Sequence, residues 1–166
     1  MGIIQNQSVI MTTDEKNRHE VYNRFAALCS RSEQCSPDIR KKIVALGFDP
    51  ETAAEMTAKL KEENFLDDER FIRSFVADKF KFNKWGKVKI RYYLKMKGLP
   101  GDLIENGLDS IDEDLYKQLL IKIMKEKART IKKKEKFERM GQLIRFAQGR
   151  GFEPEIIHRH LNEIIS

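Results

Sequence analysis

The sequence has 166 residues, of which 40% are hydrophobic and 35% are charged, and its formal net charge is +6. This composition allows a modest hydrophobic core and excludes a membrane-spanning helix, because every uncharged apolar run is too short. The charge is uneven, since residues 1–68 carry nine basic and twelve acidic side chains whereas residues 69–166 carry 23 basic and 14 acidic ones. The excess of basic residues in 69–166 indicates one of two things. This part of the chain either binds a polyanion or an acidic protein surface, or has an ordinary solvated helix surface.

Residues 1–13 have no basic start, no useful apolar stretch and no small-residue cleavage site. We therefore predict a flexible N-terminus and no signal peptide. Cys29 and Cys35 are the only two cysteines, which is too few for a disulfide framework. We expect both thiols to be reduced and the protein to be cytoplasmic.

Helix signals follow one another along the rest of the chain. Thr12 with Glu15, and Ser110 with Glu113, have the spacing of capping boxes. Proline stands in a first-turn position after each of three residues, the first two of which suit an N-cap: Ser36, Asp49 and Glu153. The one stretch with a period of two, 79–82, continues a helical pattern and is predicted to end a helix. The sequence therefore predicts an all-α fold.

Three glycine turns reveal an internal repeat. Gly47, Gly98 and Gly151 each end an amphipathic stretch, and each is followed by a short helical segment, at 50–63, 101–108 and 154–165. Positions eight and four residues before each glycine are predicted to be buried: Ile39, Ile43, Ile90, Leu94, Leu143 and Ala147. We predict three tandem three-helix modules, at 14–66, 67–110 and 111–166, stacked as an elongated array of about nine helices.

The sequence offers little for catalysis. Its three histidines are His19, His158 and His160; the last two lie on different sides of a helix and are expected to be surface residues. The acidic cluster 67–69 could hold a magnesium ion, but acids are also favoured in a first helical turn. We predict no enzyme activity, no cofactor and no metal site.

A basic segment at 79–97 is the strongest functional signal, with eight Lys or Arg residues and no acid. Lys84, Lys87, Arg91 and Lys95 recur at helical spacing and would repel one another, which favours a binding face for an anionic partner over a solvated face. The same segment holds five aromatic residues that could stack on bases, although core packing is favoured: Phe80, Phe82, Trp85, Tyr92 and Tyr93.

A second basic region lies at 122–139 and contains the possible site Lys132, Lys133, Lys134 and Lys136. Three glutamates dilute its positive charge. A solvated helix and a binding site are therefore equally good interpretations of this region.

Two segments, 65–75 and 84–99, closely resemble the RecX family of bacterial RecA regulators. The resemblance is carried by the Asp68-Glu69-Arg70-Phe71 opening, the Trp85-Gly86 turn, and the basic helix that ends at Lys97-Gly98. It extends over about residues 15–165, but the distinctive motifs all lie within 65–99.

The resemblance implies a non-enzymatic helical protein that lies in the groove of the RecA–single-stranded DNA filament. There it would restrain ATP hydrolysis, strand exchange and co-protease activity. We expect a monomer whose partners are the RecA filament and single-stranded DNA, with no membrane contact; the alternative is a charge-driven nucleic-acid-binding module independent of RecA. The candidate face comprises Lys84, Trp85, Lys87, Lys89, Arg91, Lys95 and Lys97.

Two features depart from the family pattern. Lysine often replaces arginine in this sequence, which would reduce the number of bidentate phosphate contacts. The third module also carries an insertion around 132–136. Whether that insertion contacts DNA, RecA or neither is left open by the sequence.

Overall fold

The computed structural model describes residues 13–132 and 135–165. Within these ranges the fold consists of nine α-helices and no β-strand, which confirms the all-α prediction. The helices are α1 (Thr13–Arg31), α2 (Ser36–Ala45), α3 (Pro50–Glu62), α4 (Asp68–Lys81), α5 (Lys87–Met96), α6 (Gly101–Asp109), α7 (Glu113–Thr130), α8 (Lys136–Gly149) and α9 (Pro154–Ile165). None of these helices is both long enough and apolar enough to span a bilayer.

Contacts divide the chain into two compact units, one that ends at Asp67 and one that begins at Asp68. The first unit contains α1, α2 and α3, and α2 packs mainly against α3. Its core is formed by apolar side chains from all three helices, among them Phe25, Ile39, Ile43, Met56 and Leu60. Cys29 and Cys35 are both buried in this unit and no disulfide joins them, and the reduced state expected from the sequence remains a prediction.

The second unit contains the six helices from α4 to α9. Here α4 and α5 pack on α6, while α7, α8 and α9 pack on one another. Its fully buried side chains include Ile72, Ile90, Leu94, Ile104, Leu120, Met124 and Leu143. The helices α4 and α6 come together at Gly107, where a Cβ atom would overlap the Ile72 side chain. The three-module limits drawn from the sequence remain a prediction.

The glycine turns have the backbone that the sequence predicts. Gly47, Gly98 and Gly151 have φ values of +103°, +85° and +95°, in the left-handed region that glycine adopts without strain. All six positions predicted from these turns are completely buried: Ile39, Ile43, Ile90, Leu94, Leu143 and Ala147. The repeated glycine turns therefore correctly predicted three helix ends and six buried core positions.

Some helix starts differ from the prediction. Asp49 caps α3 as expected, accepting a hydrogen bond of 2.7 Å from the Thr52 N–H. However, α2 already begins at Ser36, after Cys35. The cap of α7 is Asp112, which accepts from the Leu115 N–H at 3.0 Å, because Ser110 still belongs to the end of α6. The predicted capping boxes were therefore wrong at Ser110, and Thr12 lies outside the described residues.

Candidate nucleic-acid interface

The start of α5 is held by a turn from far downstream in the chain. Gly86 donates its N–H to the Arg150 carbonyl at 2.8 Å, and Val88 donates to the Gly151 carbonyl at 2.9 Å. A Cβ atom at Gly86 would overlap the backbone of Gly151 and Phe152, so only glycine permits this approach. The turn before α5 and the turn before α9 are therefore in backbone contact, which fixes where α5 begins.

Tyr116 completes this junction. The Lys87 N–H donates to the Tyr116 hydroxyl at 2.9 Å, and that hydroxyl donates to the Glu153 carboxylate, whose oxygens lie at 2.9 and 3.0 Å. Burial of the ring raises the pKa of Tyr116 above its ordinary value, so the hydroxyl stays protonated and remains a donor. The first backbone N–H groups of α5 thus have partners without an acidic cap.

One side of α5 faces a carboxylate on α6. Arg91 forms a two-point ion pair with Glu105, with N–O distances of 2.6 and 3.1 Å. This hydrogen bonding raises the pKa of Arg91 and lowers that of Glu105, and the charges of Lys95 and Lys87 lower the latter further. The predicted stripe of like charges is consequently not free of acid, because α6 supplies a glutamate that the local sequence does not contain.

A different side of α5 contributes Lys89, Tyr92 and Tyr93 to an aromatic cluster that also contains Lys79 of α4 and Trp85 of the turn between these helices. We call this cluster the Trp85 surface (Lys79, Trp85, Lys89, Tyr92 and Tyr93). The rings of Trp85 and Tyr93 are stacked with centroids 4.9 Å apart, and Tyr92 meets Tyr93 edge to face at 5.6 Å. The Nζ atoms of Lys89 and Lys79 lie 4.6 and 5.1 Å from the Trp85 ring centroid. Cations and rings at these separations attract each other.

Three of the five aromatic residues of this segment lie outside the core, contrary to the prediction. Tyr92 and Tyr93 are 59% and 42% exposed and Phe82 is 71% exposed, whereas Trp85 and Phe80 are partly buried. The reason is helical spacing, since Ile90 and Leu94 already occupy the buried side of α5. Lys79 was missing from the predicted site, although it begins the acid-free segment that the sequence revealed.

The remaining predicted residues flank these two sides. Lys84 lies in the turn before α5 with a left-handed φ of 57°. Lys97 caps the end of α5, and its Nζ atom lies 5.7 Å from the Phe71 ring centroid. The seven predicted residues therefore do not form one face. They lie in the turn before α5, on two sides of α5 and at its C-terminal end.

The second basic region covers the end of α7, the connection to α8 and the first turn of α8. Lys132 is exposed, and Lys136 is the exposed first residue of α8, where the helix dipole disfavours a cation. Lys133 and Lys134 lie outside the described residues. Phe137, which follows on α8, is 86% exposed.

The described residues contain no group of three or more His, Cys, Asp or Glu that could hold a metal ion. Asp68 and Glu69 lie in the first turn of α4, where the helix dipole favours them. His158 is exposed as expected, but His160 is buried, and its Nδ1 atom lies 3.5 Å from a Glu163 carboxylate oxygen. The prediction of a surface position was therefore wrong for His160.

Comparisons with known proteins assign the chain to a family. A family model described as the second three-helix domain of RecX matches residues 67–108. The Regulatory protein RecX of Clostridium botulinum strain Eklund 17B is 33% identical over 138 residues, which cover 82% of this chain and 64% of that protein. The protein of the same name from strain Alaska E43 is 33% identical over 147 residues, covering 86% of this chain and 68% of that protein. The chain thus spans about two thirds of the length of these relatives.

A solved structure supports the fold. The crystal structure of RecX from Lactobacillus salivarius has a TM-score of 0.82 with this chain at 17% sequence identity, covering 90% of this chain and 97% of that one. The relatives above are named regulatory proteins, which agrees with the prediction of a protein that is not an enzyme. The chain therefore belongs to the RecX family of regulatory proteins.

Proposed function

We propose that this chain binds the RecA–single-stranded DNA filament and restrains its ATPase, strand-exchange and co-protease activities. Family membership supports a regulatory role, and the resemblance of the central motif implies RecA as the target. The observation that carries the proposal is the concentration of basic side chains on α5, of which Lys95 is exposed and Lys87 and Lys89 are partly exposed, together with the exposed rings of Tyr92 and Tyr93, within the matched segment 67–108.

The charges of α5 suit a polyanionic filament. Among the described residues, no carboxylate forms an ion pair with Lys84, Lys89 or Lys95, whereas Arg91 is held by Glu105. Lysines that are not neutralised within the fold can release counterions from a nucleic acid when they bind it. The lysines of α5 are therefore better candidates for partner contact than Arg91, which the resemblance also placed on the filament-facing surface.

The test is the ATPase activity of RecA on single-stranded DNA, titrated with this protein. We expect inhibition by the wild type, and a loss of about tenfold in potency for Lys79→Glu/Lys89→Glu if two charge contacts with the filament are removed. Lys87→Glu/Lys95→Glu tests the other side of α5, and Arg91 is left intact because Arg91→Glu would oppose Glu105. Lys41→Glu/Lys42→Glu on α2 makes the same charge change in the other unit as a control.

The variants locate the working face. A weaker effect of one α5 variant alone assigns filament contact to that side of the helix. Equal inhibition by the wild type and both variants would move the working face away from α5, with Lys132 and Lys136 as the next candidates. A wild type that leaves the RecA ATPase unchanged at equimolar concentration would refute the proposal.

A second candidate function is nucleic-acid binding by charge alone, without RecA. The separate basic region at Lys132 and Lys136 favours it, because this region adds exposed cations outside the central motif. Charge-driven binding should weaken steeply as salt rises, in proportion to the number of phosphates contacted. A DNA affinity that changes little with salt would exclude this candidate.

A further inference from the structure

We infer that the Trp85 surface binds unpaired bases by stacking, with Tyr92 and Tyr93 as the stacking rings, and thereby selects single-stranded over duplex nucleic acid. The inference rests on the proposed function only for the source of the strand, which is the DNA of a recombinase filament. The binding step itself concerns this chain alone, so it can succeed or fail without RecA.

The rings are held in place before any ligand arrives. Tyr93 is stacked on Trp85 and meets the edge of Tyr92, and Trp85 in turn lies between α4 and α5 through its contacts with Lys79 and Lys89. A ring that is fixed by its neighbours loses little conformational entropy when a base stacks on it. The cluster is therefore a preorganised aromatic surface and not a set of independent side chains.

Part of the ring area of the two tyrosines remains exposed to solvent. The core side of α5 is formed by Ile90 and Leu94, which are fully buried, while Tyr92 and Tyr93 stay 59% and 42% exposed. Val88 and Met96, four residues before and after Tyr92, are 45% and 63% exposed and extend the same side of the helix. A contiguous exposed apolar and aromatic patch of this kind is typical of a binding surface.

The cations beside the rings could contact the phosphate groups of a strand whose bases stack on the rings. Lys79 and Lys89 place ammonium groups within about 5 Å of the Trp85 ring, and the whole segment 79–97 contains no acid. Surfaces that bind single strands combine aromatic rings for the bases with cations for the phosphates. Ring surface with positive charge beside it therefore fits a strand of unpaired nucleotides better than it fits an acidic protein, which would use only the charges.

Stacking also explains selectivity. The faces of paired bases in a duplex are already covered by neighbouring base pairs, so a tyrosine ring cannot reach them without unstacking. Charge alone gives no such discrimination, because a duplex presents phosphates at higher density than a single strand. The base faces, and not the phosphates, would decide which nucleic acid the surface retains.

The experiment uses Trp85 as the reporter, because it is the only tryptophan in the sequence. The intact chain is titrated, without RecA, with an oligodeoxythymidylate and with an abasic strand of the same length and charge, and Trp85 fluorescence is followed. We expect the wild type to bind the base-containing strand at least about tenfold more tightly, from one or more stacked bases. A duplex of the same length should bind more weakly than the thymidylate strand.

Variants separate the ring from the hydroxyl. Tyr92→Ala/Tyr93→Ala should bind both strands with equal affinity, whereas Tyr92→Phe/Tyr93→Phe should keep the preference, because stacking needs only the ring. Leu115→Ala, at an exposed side chain on α7, should behave as the wild type. Circular dichroism checks that each variant keeps its helix content.

The outcomes decide the inference independently of the proposed function. Equal affinity of the wild type for the thymidylate and abasic strands would overturn it, as would the absence of binding to either strand. A base preference that survives Tyr92→Ala/Tyr93→Ala would also overturn it. A base preference lost in that variant, in a protein without effect on the RecA ATPase, would support stacking while the filament proposal fails.

Discussion

Substitution of Gly86 by alanine should destabilise the second unit by about 3–5 kcal/mol. The added Cβ atom would overlap the backbone of Gly151 and Phe152, so the two turns must separate. Separation breaks the hydrogen bonds from Gly86 to Arg150 and from Val88 to Gly151, at about 1 kcal/mol each, and the misfit adds about 1–3 kcal/mol. Urea denaturation followed by Trp85 fluorescence measures this loss within the unit that contains both turns.

Gly101→Ala is the matched control for the same chemical change. Gly101 begins α6 with open space around its Cβ position, so alanine should leave the stability unchanged or raise it by up to about 1 kcal/mol. If Gly86→Ala lowers the free energy of unfolding by less than about 1 kcal/mol, the backbone contact between the turns before α5 and α9 does not exist in solution. A large loss for both variants would indicate that glycine is required for reasons other than this contact.

Two further predictions concern charge and helix capping in the same unit. Asp112→Ala should destabilise the protein by about 1 kcal/mol through loss of the α7 cap, whereas Ser110→Ala should cost clearly less; the reverse order in thermal denaturation would restore the capping box that the sequence suggested. The hydrogen bond from Arg91 lowers the pKa of Glu105 in the folded protein. The ionised Glu105 therefore stabilises the fold above its ordinary pKa of 4.5, and this stabilisation is lost as the pH falls below that value. Glu105→Gln should remove this part of the acid sensitivity, at most about 1 kcal/mol because the pair is partly exposed, and an unchanged stability profile between the two proteins would contradict it.

The helix pattern was predictable because its signals are local. A glycine that closes a helix, a proline in a first turn and apolar residues at helical spacing all lie within a few positions of one another. The third helices of the repeat were accordingly placed to within one residue of their observed ends, at 50–62, 101–109 and 154–165. The cap of α7 was missed because Ser110 and Asp112 are both good caps, and only packing decides where α6 ends.

The site was less predictable because it depends on contacts between distant residues. Nothing in 79–97 indicates that Glu105 pairs with Arg91, or that Lys79 of α4 lies over Trp85. The aromatic residues were expected in the core because large rings usually are buried, but two aliphatic residues of α5 already fill that side. Which side of a basic helix remains open is therefore decided by its neighbours in the fold.

The contacts at Gly86 make the start of α5 depend on residues that are synthesised after it. A helix that begins without an acidic or hydroxyl cap usually has unsatisfied N–H groups, but α5 obtains its partners from Tyr116, Arg150 and Gly151. During synthesis these partners leave the ribosome long after α5 itself, so the start of the helix that carries the basic face is held only after the turn before α9 has been made. A nascent or truncated chain that lacks this turn would contain every residue of the face and still not hold the start of α5 in place.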